Sequence, residues 1–399
     1  MSTTGAAGRL LRELVDGGAM SRAEATARAA VSRSAAGTAV EELLRLGLIR
    51  ADLPLANGRG RPSSMLTLRA DGAAVVACEV GTHETVIATH HLDGTLDDRK
   101  IVALDVPSMA PEESVVAVAA HLRQRVETVG PRCVGVGVSI PGMINRATGV
   151  ATLVLPLNWR NVHVRDILER ELQDMYVTVG QDALLAALAE FHLGAGASAD
   201  RMLLLIAEAV GLGGAIVGLS SGQQPANHSL QAGHVIVDPR GPRCVCGAAG
   251  CLEMYADGRA FVRALGLGRG ATPADVSAAV AAGLDDNALR ALTKEIVVPF
   301  TTGLVSLVNA LGPDRVVLAG LLAELPRLAG VRLEEVLAQS VVATAERVSV
   351  VPAELDDGVL RGAAYDAFSS LFRDPSAAIG ARLTEAGTAV AGGRMDKEV

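Results

Sequence analysis

One histidine and three cysteines cluster in this chain as His234-x9-Cys244-x-Cys246-x4-Cys251. Four soft or borderline donors at such short range suit a tetrahedral zinc ion of the closed, structural kind, which ties its segment into a compact loop. Asp238-Pro-Arg-Gly-Pro ahead of Cys244, with Gly247 and Gly250 beside the thiols, supplies turns that let the donors converge. A disulfide fits less well, because thiols at i and i+2 close with poor geometry. Cys78 and Cys133 lie in apolar, strand-like runs and read as buried small residues. The expected cofactor is one structural Zn2+ per chain, held by His234, Cys244, Cys246 and Cys251.

The 399 residues exceed one ordinary domain and predict two or three units at about 150 residues each. Half the chain is apolar and a fifth charged, which excludes a mainly disordered protein. Glycine or a charge interrupts every apolar run short of the ~20 residues of a membrane span, so no membrane association is expected. The first residues, MSTTGAAGRLLREL, lack the pattern of a secretory signal, so the expected location is the cytoplasm. The net charge of −8 taken alone argues against nucleic acid, but it is unevenly spread. Residues 1–69 hold ten Arg against six Asp and Glu, so a basic module precedes an acidic remainder.

That module, residues 1–70, reads as three helices and a hairpin. Leu10, Leu11, Leu14 and Val15 share one helical face. Ser21-Arg-Ala-Glu24 is a capping-box pattern, and a further helix starts at Ser32 and runs to Gly47, a natural C-cap. LIRADL and SSMLTLR flank a basic, glycine-rich tip, Ala56-Asn-Gly-Arg-Gly-Arg-Pro62. From Ala73 the texture becomes α/β: strands at AAVVACEV, ETVIATHHL, KIVALDV, CVGVGVSI, YVTVG, MLLLIAE and RVVLAG alternate with helices near 111–128, after Gly180, near 285–311 and near 360–372. This body spans 71–375, and residues 376–399, rich in Ala, Gly and charge, read as a flexible tail.

Gly233-His234-Val-Ile-Val-Asp238-Pro239, followed by Cys244-Val-Cys246-Gly247-Ala-Ala-Gly250-Cys251-Leu252-Glu253, closely resembles the signature of the ROK family (repressors, open reading frames and sugar kinases). Ser139-Ile-Pro-Gly142, Leu157-Asn158-Trp159, Gln181-Asp182-Ala183, Gly211-Leu-Gly213-Gly214 and Val316-Val-Leu-Ala-Gly320 fall in family order. The resemblance implies an actin-like, sugar-kinase-type two-lobed α/β fold with zinc on the 234–251 loop. It implies sugar contacts from Asn158, Asp182, Gln231, His234 and Glu253. Gln231 stands where the family has Glu, and Gln181 where it has Asn. Both keep hydrogen-bonding capacity.

Phosphoryl transfer from ATP would need glycine-rich hairpins that cradle phosphates. The family's first such loop resembles Asp-x-Gly-Gly-Thr, and this chain has Glu79-Val80-Gly81-Thr82-His83. The second, Gly-Thr-Gly-x-Gly-Gly in the family, is Ala209-Val210-Gly211-Leu212-Gly213-Gly214, and the adenosine-side Gly-Gly is Ala319-Gly320. Three departures in one nucleotide site point away from an enzyme, so no catalytic residue is assigned. Asp182, the base position of a kinase, reads here as an acceptor for a sugar hydroxyl or as a helix cap.

Repressors of the family carry an extension like residues 1–70, whose pattern resembles a winged helix-turn-helix. The resemblance places Ser32, Arg33 and Ser34 in the major groove of double-stranded DNA, and Arg59 and Arg61 on the wing. Ala35-Ala36-Gly37 leaves the middle of that recognition helix short of side chains. The expected protein is a sugar-responsive repressor with a degenerate ATP site, acting on an operator as a homodimer or dimer of dimers. The alternative is a ROK sugar kinase, phosphorylating hexoses, with a DNA-binding extension.

Overall fold

The computed structural model describes residues 4–52, 64–173, 175–218, 227–268, 270–327 and 333–380. They belong to two compact units, residues 1–180 with 363–399, and residues 181–362.

The first unit opens with α1 (Ala6–Gly17), β1 (Met20–Ser21), α2 (Arg22–Arg28), α3 (Arg33–Arg45), β2 (Ile49–Asp52) and β3 (Met65–Leu68). The 3.6-residue spacing of Leu10, Leu11 and Leu14 turns all three inward, where they are fully buried. Ser21 Oγ accepts from Glu24 N (3.2 Å) to start α2, and Ser32 Oγ accepts from Ala35 N (3.3 Å) to start α3. Three antiparallel strands in the order β1-β3-β2 complete a winged helix-turn-helix. The strand tip that carries Arg59 and Arg61 lies outside the described residues.

The body of this unit is a five-stranded sheet, ordered β11-β7-β4-β5-β6. It comprises β4 (Ala74–Val80), β5 (Glu84–His91), β6 (Leu96–Ala103), β7 (Cys133–Ile140) and β11 (Val177–Gln181). Every residue of β7 is buried, as expected of a central strand beside a parallel neighbour. Between β7 and β11 lies a smaller antiparallel sheet of β8 (Met143–Asn145), β9 (Val150–Val154) and β10 (Trp159–His163). Helices α4 (Pro111–Val129) and α5 (Val164–Glu171) add Val115, Leu122, Ile167 and Leu168 to one core with Trp159, Cys78 and Cys133.

The second unit begins with α6 (Asp182–Leu193) and holds a sheet ordered β14-β13-β12-β15-β16. Its strands are β12 (Arg201–Ala207), β13 (Leu212–Gly218), β14 (His228–Leu230), β15 (Arg315–Gly320) and β16 (Ser349–Pro352). Six helices follow in chain order: α7 (Glu253–Ala256), α8 (Gly258–Ala264), α9 (Pro273–Ala281), α10 (Asp286–Leu292), α11 (Val298–Leu311) and α12 (Leu333–Leu337); then comes α13 (Val341–Ala345). A π-helical stretch, Thr293–Val297, joins α10 to α11 just ahead of Pro299, which has no N–H to donate. The joined helix Asp286–Leu311 is long and apolar enough to cross a membrane, with a mean hydropathy of 1.4 over an 18-residue window, and Lys294, Glu295 and Gly303 interrupt its apolar run as the sequence leads one to expect. Half of that window is buried within the protein, and Phe300, Leu304 and Val308 are core residues of this unit.

The last helices, α14 (Gly358–Ala367) and α15 (Ser369–Arg373), return the chain to the first unit. There they fasten the winged head to the body. Arg12 lies 5.2 Å over the ring of the buried Phe372, and Tyr365 Oη donates to Asp16 (2.9 Å). Ser376 Oγ donates to Glu42 (2.7 Å) at the far half of α3. Arg132 donates to the carbonyls of Leu46 and Gly72, both at 3.0 Å. Helical backbone continues to Gly380 with Ile379 buried, so the segment expected to be a tail starts as ordered structure; residues 381–399 lie outside the described residues.

Candidate functional site

The four donors expected for zinc converge: one ligand atom each from His234, Cys244, Cys246 and Cys251 lie within 4.8 Å of one another. Cys244 Sγ is 3.6 Å from His234 Nδ1, and Cys246 Sγ is 3.6 Å from Cys251 Sγ. A tetrahedron around zinc with metal–sulfur bonds of about 2.3 Å has edges of about 3.7 Å, so the donor set fits the ion in spacing as well as in softness. Backbone bridges Ile236–Cys251 and Arg243–Ala249 fold the loop onto itself. Gly250 makes the fold possible, because its φ is 71° and a Cβ there would fall 1.6 Å from the Asp238 carbonyl oxygen. Burial pushes the Cys244 and Cys251 thiols up, while a hydrogen bond involving the Ala248 backbone holds Cys246 down.

The residues implied for sugar binding are distributed between the units. Asn158 is exposed, has a left-handed backbone (φ 56°), and belongs to the first unit. Asp182, Gln231, His234 and Glu253 belong to the second. Glu253 opens α7, is 7% exposed, and places Oε1 2.9 Å from Cys244 Sγ and 3.8 Å from His234 Nδ1. Nδ1 of His234 therefore faces the metal cluster, which leaves Nε2 for a ligand. Gln231 is exposed and its carbonyl accepts from His234 N (3.0 Å).

The glycines of β13 bring these segments close. A Cβ on Gly213 would sit 2.8 Å from the Ala183 methyl and 3.9 Å from Asp182 Oδ1. One on Gly214 would sit 2.8 Å from the Ala232 methyl. Asp182 is the first residue of α6, with Gln181 rather than Asp182 at the cap position. Burial pushes its carboxyl up to about 6, against a 2.7 Å bond from Ala183 N–H that favours the charge. Trp159 is 1% exposed in the core of the first unit, so it anchors packing and offers no face for sugar stacking.

Sequence reasoning passed over two carboxylates here. Glu208 follows β12 directly; part of its surface meets solvent, but protein atoms crowd the carboxyl, and that crowding and then the charge of Asp182 push it up to about 7. Asp257 is 1% exposed and caps α8 by accepting from Ala260 N (3.2 Å). Its other oxygen accepts from Gly211 N (3.2 Å) and Arg259 Nε (2.7 Å), while Gly258 N donates to the Glu208 carbonyl (2.8 Å). An Asp directly before a helical GRAFVRA run was the available signal.

The two hairpins that correspond to the family's phosphate loops are held by backbone turn bonds. Glu208 N donates to Gly211 O (3.3 Å), and Val210, 63% exposed, stands in this second loop where the family pattern has a hydroxyl. In the first loop Gly81 N donates to Glu84 O (2.9 Å), and His83 Nδ1 lies 3.0 Å from Asp105. In the head, Ser32, Arg33 and Ser34 are exposed at the start of α3, with the two serine hydroxyls 3.1 Å apart.

The ROK family profile matches residues 75–368. The chain belongs to the ROK family. It is 35% identical over 167 residues to a kanosamine kinase of Amycolatopsis mediterranei (strain S699), a match covering 40% of this chain and 52% of that protein. It is 23% identical over 259 residues to a xylose repressor of Bacillus subtilis (strain 168), covering 64% of this chain and 66% of the repressor. The chain thus spans about half to two thirds of the length of these relatives. Among solved structures, a ROK family transcriptional regulator homologous to the E. coli MLC protein aligns with a TM-score of 0.72 at 20% identity, over 95% of this chain and 98% of its own. A ROK hexokinase from Thermus thermophilus aligns with a TM-score of 0.56 at 28% identity, over 75% of this chain and 99% of its own. The architecture is the actin-like, sugar-kinase fold of ROK proteins preceded by a winged helix-turn-helix, and the relatives include both repressors and sugar kinases.

Proposed function

We propose that this ROK protein is a sugar-responsive transcriptional regulator, a repressor that binds double-stranded operator DNA in the cytoplasm as a homodimer or dimer of dimers. The observation that carries the reading is the head: a winged helix-turn-helix fastened to the first ROK unit by α14, α15 and Ser376, with the start of α3 exposed. Two such heads in a dimer read half-sites one helical turn apart, about 34–36 Å, or multiples of it. Ser32, Arg33 and Ser34 contact base edges, and Arg59 and Arg61 supply the wing contacts.

The effector is a sugar or sugar derivative held by Asn158, Asp182, Gln231, His234 and Glu253. It shifts DNA affinity by binding the DNA-competent and DNA-released conformations unequally. Zinc on His234, Cys244, Cys246 and Cys251 would hold His234 and Glu253 in place and supply structural cohesion, with no part in chemistry. A second reading, a hexose kinase with a DNA-binding extension, draws support from Asp182, whose carboxyl at about 6 lies in the range of a general base.

ATP turnover against a panel of hexoses separates the two readings. Turnover at background level is expected, and robust turnover overturns the regulator reading. In parallel, joint Arg59→Ala and Arg61→Ala substitution should weaken DNA binding. It should also take about 0.9 off the slope of log K against log salt for each phosphate that the wing no longer neutralises.

A further inference from the structure

Of the eight arginines among the described residues of the head, five are engaged within the protein. Arg28 bonds Glu13 (3.0 Å), Arg50 bonds Asp52 (2.9 Å), Arg69 bonds Asp71 (2.6 Å), and Arg45 reaches Ser376 (3.5 Å). Arg12 covers Phe372. Arg9, on α1, and Arg22 and Arg33, on the helix-turn-helix pair, are exposed and have no side-chain partner among the described residues.

Arg22 is placed in an unusual way. It is the first residue of α2, where the positive end of the helix dipole disfavours a cation. Its guanidinium reaches across to α3, and the point that a Cβ on Gly37 would occupy lies 2.9 Å from Arg22 Nη2. Gly37 is one helical turn beyond Arg33, so the two positions share a face of α3. Ala36, Ala39, Val40 and Leu43 form the buried side of the helix, and Arg33 and Gly37 border it, Ala36 being three residues from Arg33 and Val40 three from Gly37. The edge of the exposed face therefore begins with the arginine of α3 itself. One turn later, where α3 offers only glycine, the guanidinium of Arg22 lies instead.

We propose that Arg22 is a DNA-contacting residue, delivered from α2 across Gly37 to supply the side chain that the middle of the recognition helix lacks. This rests on the DNA-binding reading above. A guanidinium in that position presents its fork of N–H donors to paired acceptor oxygens and nitrogens, found on a guanine edge and, as oxygens alone, on a phosphate. Gly37 then has a function that its poor helix propensity does not reveal: it leaves the space through which Arg22 passes.

The test uses the full-length protein and duplexes that it enriches from a random-sequence pool, with affinity read by fluorescence anisotropy. Arg22→Ala should weaken binding about tenfold or more, the loss expected of one bidentate contact. Gly37→Ala keeps the arginine but puts a Cβ 2.9 Å from Nη2, so the guanidinium must shift and binding should weaken by less than in Arg22→Ala, while the thermal midpoint holds or rises because alanine favours helix. A merely structural role for Gly37 predicts the opposite pairing. If Arg22 meets phosphate, Arg22→Ala flattens the salt slope by about 0.9 and Arg22→Lys restores most of the affinity. If it meets a base edge, the enriched motif changes at one position and lysine does not restore it. The proposal is overturned if Arg33→Ala weakens binding while Arg22→Ala and Gly37→Ala match the parent in affinity, salt slope and motif. A parent protein that enriches no sequence and shows no salt-dependent binding overturns the DNA-binding reading, and this proposal with it.

Discussion

The metal loop and the Glu208–Gly211 turn are both glycine-bearing segments of the second unit, and they have been treated oppositely. In the loop the glycines sit where the backbone must pass close to itself, and the four donors converge to within 4.8 Å. In the turn, a valine is 63% exposed at the position the family pattern gives to threonine, and backbone donors are absorbed by Asp257 and by the turn's own ends. A metal tolerates little change in donor identity, and a phosphate loop works only through free N–H groups and close backbone approach. One segment thus keeps the family's donor residues and the other departs from the family's phosphate-loop pattern.

The largest effect should come from the loop. Metal analysis should find about one zinc per chain, the stoichiometry of one four-ligand site. Cys246→Ser should release it and lower the thermal midpoint by several degrees, because metal binding and local folding are coupled. Metal-free protein of undiminished stability would erase the contrast with the turn.

Asp257→Ala tests whether the turn is a structural strut. It strips three bonds from a carboxylate that is 1% exposed and leaves Arg259 and Gly211 N without their partner. A loss of about 2–4 kcal/mol in denaturant unfolding is expected, with faster hydrogen exchange at Gly211. Unchanged exchange there would show that the clamp does not hold the turn.

Asp182→Asn should act in a pH-dependent way. A carboxyl raised from 3.8 to about 6 by burial costs stability only once it ionises, so the penalty grows as pH rises between those values and is constant above about 7. The substitution should therefore stabilise the protein at pH 8 by up to about 3 kcal/mol and leave it nearly unchanged at pH 4. A gain that is the same at both pH values would mean that the carboxyl is not perturbed.

The smallest effect is expected of repairing the turn. Val210→Thr with Ala209→Gly restores one hydroxyl and one glycine, so nucleotide affinity in equilibrium dialysis should improve only a few-fold, about 1 kcal/mol or less. Tight nucleotide binding by the unaltered protein would break the comparison outright.

Several features could be read from local sequence because local physics determines them. Helix α1 follows from its leucine spacing, α2 and α3 from Ser21 and Ser32, and β7 from an uninterrupted apolar run. The metal site could be read because its donors lie close in sequence. Trp159, equally prominent in the sequence, gave no such certainty, since a single aromatic residue serves packing or stacking alike. Its 1% exposure resolves the choice.

The sequence by itself determined the ROK family, the winged head, the histidine–cysteine donor cluster and the altered glycine-rich hairpins, since each depends on residues that are neighbours in the chain or on a recognisable order of motifs. Tertiary structure alone decided three others. One is the seat of the head on α14, α15 and Ser376, whose partners Arg12, Asp16 and Glu42 lie at the other end of the chain. Another is the effect of the Asp182 charge on Glu208, and the last is the reach of Arg22 over Gly37. In each case the deciding quantity is a through-space distance between side chains on separate elements, set by how those elements pack and invisible to periodicity or propensity.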